Sequence, residues 1–244
     1  MRRILRVSVL LIAAALPVAA QSARPQFRPA VLVTGPNSLV NRIDTKELLS
    51  KGQKDGAVQF GATVGPDGQA SEVWTYHAMP GCEALEQEVL KGLDGSKFTP
   101  PIYNHQPVTV LLYGTVVFDA DIKPYLRIFL NQDPRELQEA NDFIGPQPVV
   151  GGDSAFTGLN VPKEIPVAVE GVVELRLSVD VKGNLLELDV TGENPPLLGF
   201  RESVLSDFKG AKFIPAFRSG DATESKCVVS VCYKPVGVNP GQEE

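Results

Sequence analysis

Two histidines, three cysteines, two methionines and one tryptophan in 244 residues leave little material for metal coordination or for a nucleophile and its base. No cluster of His, Cys or carboxylate residues has metal-ligand spacing, and no glycine-rich phosphate loop is present. Gly152-Asp153-Ser154 has the residue types of a serine-hydrolase loop. A lipase-like order needs a histidine later in the chain, and none follows His105. A trypsin-like order, with His77 or His105 upstream, wants two glycines where Ala155-Phe156 stand, and there is no Ala-Ala-His-Cys block. The tripeptide therefore reads as a capped loop, and the two histidines as solvated turn and strand-end residues. An exported hydrolase is the disfavoured reading; no catalytic residue, cofactor or metal is expected. Basic charge is short too: 23 Lys and Arg stand against 29 Asp and Glu, for a formal charge of −6. Such a chain has no general electrostatic reason to bind nucleic acid or anionic lipid.

Long apolar runs are missing except at the start. Arg2, Arg3 and Arg6 precede the run Val7–Leu16, Pro17 breaks it, and Val18-Ala19-Ala20 supplies the small residues a signal peptidase reads. The uncharged stretch is shorter than the ~18–20 residues that span a bilayer. Residues 1–20 are expected to be an export signal cleaved near Ala20, leaving a periplasmic or secreted chain. Loss of three arginines and no acid takes the formal charge from −6 to −9.

What is present is a repeat. Sliding the chain against itself by 115 residues aligns Gly56–Phe118 with Gly171–Tyr233 without a gap. Val58, Phe60, Ala62 and Val64 alternate with Gln59, Gly61 and Thr63, as Val173, Leu175, Leu177 and Val179 do with Glu174, Arg176 and Ser178. That period of two predicts a half-buried strand in each copy. Pro66-Asp67-Gly68 and Val181-Lys182-Gly183 supply turn chemistry, and Ala70–His77 and Leu185–Thr191 close the hairpins. The period then changes: Cys82, Leu85, Val89 and Leu93 in one copy, and Leu197, Phe200, Val204 and Phe208 in the other, mark amphipathic helices ended by Gly95 and Gly210. Lys97-Phe98-Thr99-Pro100 and Lys212-Phe213-Ile214-Pro215 lead to final strands over Val108–Phe118 and Glu224–Tyr233. Each copy is expected to be β-β-α-β, an α+β unit with a three-stranded antiparallel sheet and one helix across it.

The second copy carries Glu170-Gly171-Val172-Val173-Glu174-Leu175, Val179-Asp180, Gly183 and Lys212-Phe213-Ile214-Pro215-Ala216. This pattern resembles the TonB C-terminal domain, with Val161-Pro162 where that family usually has Tyr-Pro. The resemblance covers more than half of the chain beyond residue 20. It implies two tandem domains and a non-enzymatic periplasmic module that captures an extended peptide, as from an outer-membrane protein, along the edge of its last strand. The family's energy transducers keep an uncleaved N-terminal helix with a serine and a histidine one turn apart. Here Ser8 is followed by Ile12, and residues 21–55 hold no long Pro-rich spacer. The resemblance thus implies a protein-binding module, with a role as an accessory to TonB-type outer-membrane transport as the alternative.

The organisation expected is an N-terminal arm (21–55), repeat 1 (56–120), an inter-repeat segment (121–145), repeat 2 (146–236) and a disordered tail (237–244). In the inter-repeat segment, Tyr125–Asn131 reads as a strand, and Asp133-Pro134 as the cap and first turn of a helix over Pro134–Asn141. Cys227 and Cys232 point to opposite faces of one strand, about 16 Å apart, and cannot bridge each other. An oxidising compartment permits a link from Cys82 to either; otherwise all three are small hydrophobes. Two surfaces offer themselves to a partner. One is the edge of the second closing strand, Val228, Val229, Ser230 and Val231, read as open, while Tyr125–Asn131 is available to cover the first closing strand. The other is an aromatic face on the first sheet with Trp74, Tyr76 and Tyr113 as anchors, unless repeat 2 or the inter-repeat segment covers it.

Overall fold

The computed structural model describes residues 24–162 and 169–234; residues 1–20, expected to be an export signal, the first residues of the arm and the tail 237–244 lie outside the described residues. The chain is an α+β protein, mostly antiparallel sheet with five short helices. In chain order the arm supplies α1 (Leu39–Arg42) and α2 (Thr45–Ser50). Repeat 1 supplies β1 (Gly56–Val64), β2 (Ala70–Ala78), α3 (Glu83–Leu93) and β3 (Thr109–Phe118). Then come β4 (Leu126–Phe129), α4 (Pro134–Glu139) and β5 (Gln147–Val150). Repeat 2 supplies β6 (Gly171–Val179), β7 (Leu185–Asn194), α5 (Phe200–Asp207), β8 (Phe213–Ile214) and β9 (Ser225–Tyr233). No helix among the described residues is long and apolar enough to cross a membrane.

Alternation in the strands decides which face is buried. Val58, Phe60, Ala62 and Val64 on β1 and Val173, Leu175, Leu177 and Val179 on β6 are all buried. Helix α3 lays Leu85, Val89 and Leu93 on the first set, and α5 lays Phe200 and Val204 on the second. The hairpin turns are tied to the loop after each helix. Phe98 N–H donates to Gly68 O at 2.8 Å, and Phe213 N–H donates to Gly183 O at 2.9 Å. Both glycines have positive φ, +80° and +78°, and a Cβ at either would collide with the phenylalanine carbonyl. Phe98 and Phe213 are themselves buried.

Several expectations need correction. Leu197, placed on the buried face of the second helix by its spacing, is 94% exposed with φ +64°, and α5 begins only at Phe200. Pro195-Pro196 and the left-handed Gly199 delay the helix, because proline lacks an N–H and biases the residue before it away from helical φ/ψ. The arm packs into the first core: Ala30, Leu39, Ile43 and Leu48 join it, and Arg42 donates to Gly92 O at 2.9 Å.

The second sheet has the expected three strands, and their order is β7-β6-β9; the first does not stop at three. Both halves of the outer edge of β3 are occupied by the chain itself. Leu126–Phe129 pairs with Thr115–Phe118, and Val149-Val150 pairs with Thr109-Val110. Strand β5 in turn pairs with β8 from repeat 2, so the first sheet has six strands drawn from both repeats and the segment between them.

Candidate functional site

The two surfaces singled out in the sequence lie against each other. Trp74, Leu111 and Tyr113, on the outer face of the first sheet, share one apolar cluster with Cys227, Val231, Cys232 and Tyr233 from β9. Tyr76 and Val229 pack against the same cluster. Trp74 is 8% exposed and Tyr113 7%. The sequence reading that repeat 2 covers the aromatic face is the arrangement observed, so these residues are not surface anchors. Gly61 makes the packing possible. It stands opposite both Trp74 and Tyr113 in register, and a Cβ there would occupy the indole's place. Tyr113 meets the Trp74 and Tyr76 rings edge-on, with centroids 6.2 and 6.1 Å apart.

The edge of β9 is also not open. Val228 N–H donates to Asp133 Oδ2 at 3.1 Å, and Ser230 N–H donates to Gln132 Oε1 at 2.9 Å. Gln132 Nε2 donates back to Ser230 O at 3.2 Å. Two consecutive side chains thus take the place of a neighbouring strand along Val228–Ser230. Asp133 does this while its Oδ1 accepts from the first amides of α4, Arg135 N–H at 3.0 Å and Glu136 N–H at 3.3 Å. Val229 lies opposite Leu175, so its amide faces the central strand β6; Val228 and Ser230 carry the outer edge. Val231, with no exposed surface, belongs to the core. The sequence marked Asp133 only as a helix cap and passed over Gln132. A glutamine directly after a predicted strand carries no local signal of what it will meet 98 residues later.

That same parity defines the outer edge of β7, which like β2 is a long border strand with no strand outside it among the described residues. Since Cys227, Val229 and Val231 exchange bonds with Leu177, Leu175 and Val173, the other residues of β6 serve β7. Ser178 pairs with Glu187 and Arg176 with Asp189, which turns the backbone groups of Leu188 and Val190 outward. Val190 O is held by the Arg201 guanidinium at 3.2 Å. No strand lies outside β7 among the described residues. Leu186 on this strand, left unpaired by the register shift between Leu185 and Glu187, is 54% exposed.

The chemistry of the buried groups is that of packing. Burial pushes the Tyr76 and Tyr113 phenols well above their usual range, and both stay neutral. Trp74 Nε1, Tyr76 Oη and Tyr113 Oη have no hydrogen-bond partner among the described residues. A cleft of about 260 Å3 opens beside Trp74, walled by Leu111, Phe156 and Cys232, with Glu72 and Lys234 also lining it. The three cysteines are free and buried: Cys82 in the first core, Cys227 and Cys232 in the second cluster. Desolvation, with Asp133 and Glu136 nearby, pushes the Cys227 thiol up to about 12; desolvation beside Glu170 takes Cys232 to about 11.

Ser154 is a loop strut, its hydroxyl accepting from Lys212 N–H at 2.9 Å and Phe156 N–H at 3.2 Å. His105 Nδ1 lies 2.7 Å from Arg24 O and His77 Nδ1 lies 3.0 Å from Gln59 Oε1, and the Ser154 hydroxyl is bonded by backbone amides rather than by either imidazole. Among the described residues no group of three or more His, Cys, Asp or Glu side chains could hold a metal ion. Compared with family models, with curated proteins and with solved structures, the chain matches none.

Proposed function

We propose that the protein is a non-enzymatic interaction module, exported to the periplasm, built from two tandem repeats of the TonB C-terminal type, and that it receives an extended segment of a protein partner by strand addition. The receiving edge in this reading is β7, not the closing strands. The observation that carries it is the ten-residue strand Leu185–Asn194, which has no strand outside it among the described residues and carries a half-exposed Leu186. An edge of this kind templates another chain through its unpaired N–H and C=O groups, with side-chain pockets adding selectivity.

Leu188→Pro tests the reading, because proline is tolerated on an edge strand where its missing N–H would have faced outward. The chain from residue 21 is immobilised, exposed to a periplasmic extract, and its captured proteins are quantified by mass spectrometry. Partners held by the parent are expected to be lost from a Leu188→Pro variant whose circular dichroism is unchanged. Retention of the same partners by that folded variant would overturn the assignment of the edge.

A further inference from the structure

The charges along β7 bear on what kind of segment it takes. The strand carries Glu187, Asp189 and Glu193 and no basic residue. Glu187 and Asp189 stand opposite Ser178 and Arg176, on the face away from α5, while Leu185, Leu188 and Val190 stand opposite Val179, Leu177 and Leu175 on the α5 side. Glu187 is bound across the sheet by Lys226 at 2.9 Å, an exposed pair, and Asp189 stands opposite Arg176 in the register. The first hairpin has no such pattern: β2 holds a single acid, Glu72, in a left-handed bulge.

Self-pairing of two copies along β7 is opposed by these charges. In an antiparallel pair centred on Leu188, Glu187 of each copy would face Asp189 of the other, and like charges directly opposite are destabilising. The acids therefore blunt the edge against a second copy of the chain while leaving it complementary to the opposite sign. We infer that the partner segment is an extended stretch alternating basic with apolar residues. Its basic side chains lie beside Glu187 and Asp189, and its apolar ones continue the strip of Leu185, Leu188 and Val190. This inference rests on the strand-addition reading above and adds the chemistry of the added strand.

The test uses the chain from residue 21 and three fluorescein-labelled peptides as long as β7. One alternates lysine with valine, one is that peptide N-methylated at every backbone amide, and one alternates glutamate with valine. Binding is read by fluorescence anisotropy, and its place by hydrogen exchange at the Leu188 and Val190 amides. The lysine peptide is expected to bind and to slow exchange at both amides, and the N-methylated peptide to fail. The glutamate peptide is expected to bind about tenfold more weakly, the combined effect of two or three cross-strand charge pairs. A doubly reversed variant, Glu187→Lys with Asp189→Lys, is expected to exchange the two preferences. Should reversal unfold the hairpin, Asp189→Asn is expected to narrow the gap. If the glutamate peptide binds as tightly as the lysine peptide while the N-methylated one fails, strand addition stands and the charge inference is overturned. If the N-methylated peptide binds equally well, or no peptide slows exchange at Leu188 and Val190, both are overturned.

Discussion

At the scale of single residues, the two phenylalanines that follow the helices do the same task twice. Phe98 and Phe213 hold the hairpin turns by their amides and fill the cores with their rings, at 2% and 0% exposure. Truncating a ring so enclosed removes its transfer energy and leaves a cavity, so Phe98→Ala and Phe213→Ala are each expected to cost about 3–5 kcal/mol. Urea unfolding measures this, and a loss under about 1 kcal/mol would show that the surroundings collapse to fill the space. Cys227 supplies a pH effect. Its thiol keeps its proton in the folded chain to about pH 12, against an ordinary 9.0. A raised pKa contributes stability that is complete below the unfolded value and is lost as the pH rises from there toward the folded value. Stability is therefore expected to fall above about pH 9, and Cys227→Ala to flatten that slope. The same burial keeps Cys227 and Cys232 as thiols, so a disulfide reagent at neutral pH is expected to label neither until the protein is unfolded.

At the scale of elements, what distinguishes the closing strands is how each is covered. Strand β3 meets two other strands, whereas β9 meets two side chains from the turn before α4. Gln132 satisfies both the N–H and the C=O of Ser230, which is 8% exposed. Its removal leaves two backbone groups buried without partners, at a cost of about 1–3 kcal/mol. Gln132→Ala is expected to lower stability by that amount and to speed hydrogen exchange at Ser230 more than at Leu177 on the central strand. Equal acceleration at both would mean that the glutamine acts through overall stability alone. The elements themselves were largely legible in the sequence, since period two and period 3.6 are local signals, as are the turn glycines at 68 and 183. Helix α5 was legible only in part: Leu197 fits the spacing, and the Pro195-Pro196 pair overrides it.

At the scale of the whole molecule, the repeats are joined by sheet as well as by packing. Strand β8 of repeat 2 completes the first sheet, and the Gln147 side chain both donates to and accepts from the backbone of Ala30 in the arm. The sole tryptophan, Trp74, sits where the repeats meet. Its fluorescence therefore reports the inter-repeat contact, while far-ultraviolet circular dichroism reports the strands of both repeats. The two signals are expected to change together in one denaturant transition. An earlier fluorescence change would show the repeats separating before either unfolds. Trp74→Ala is expected to cost about 3–5 kcal/mol through lost burial in the shared cluster.

By itself the sequence determined the alternation of strand, turn and helix, the copy-to-copy correspondence at an offset of 115, and the scarcity of groups for catalysis. These follow from spacing within a dozen residues, from matching the chain against itself, and from composition. Only the tertiary structure decided what Trp74, Tyr113 and Val228–Val231 do. An apolar residue on the outer face of a strand looks the same in sequence whether it meets a partner or another part of its own chain. The choice between them is made by contacts such as Gln132 to Ser230 and β5 to β3, whose members are distant along the chain. The burial those contacts bring turned two candidate binding surfaces into one internal seam, and left β2 and β7 as border strands with no strand outside them among the described residues.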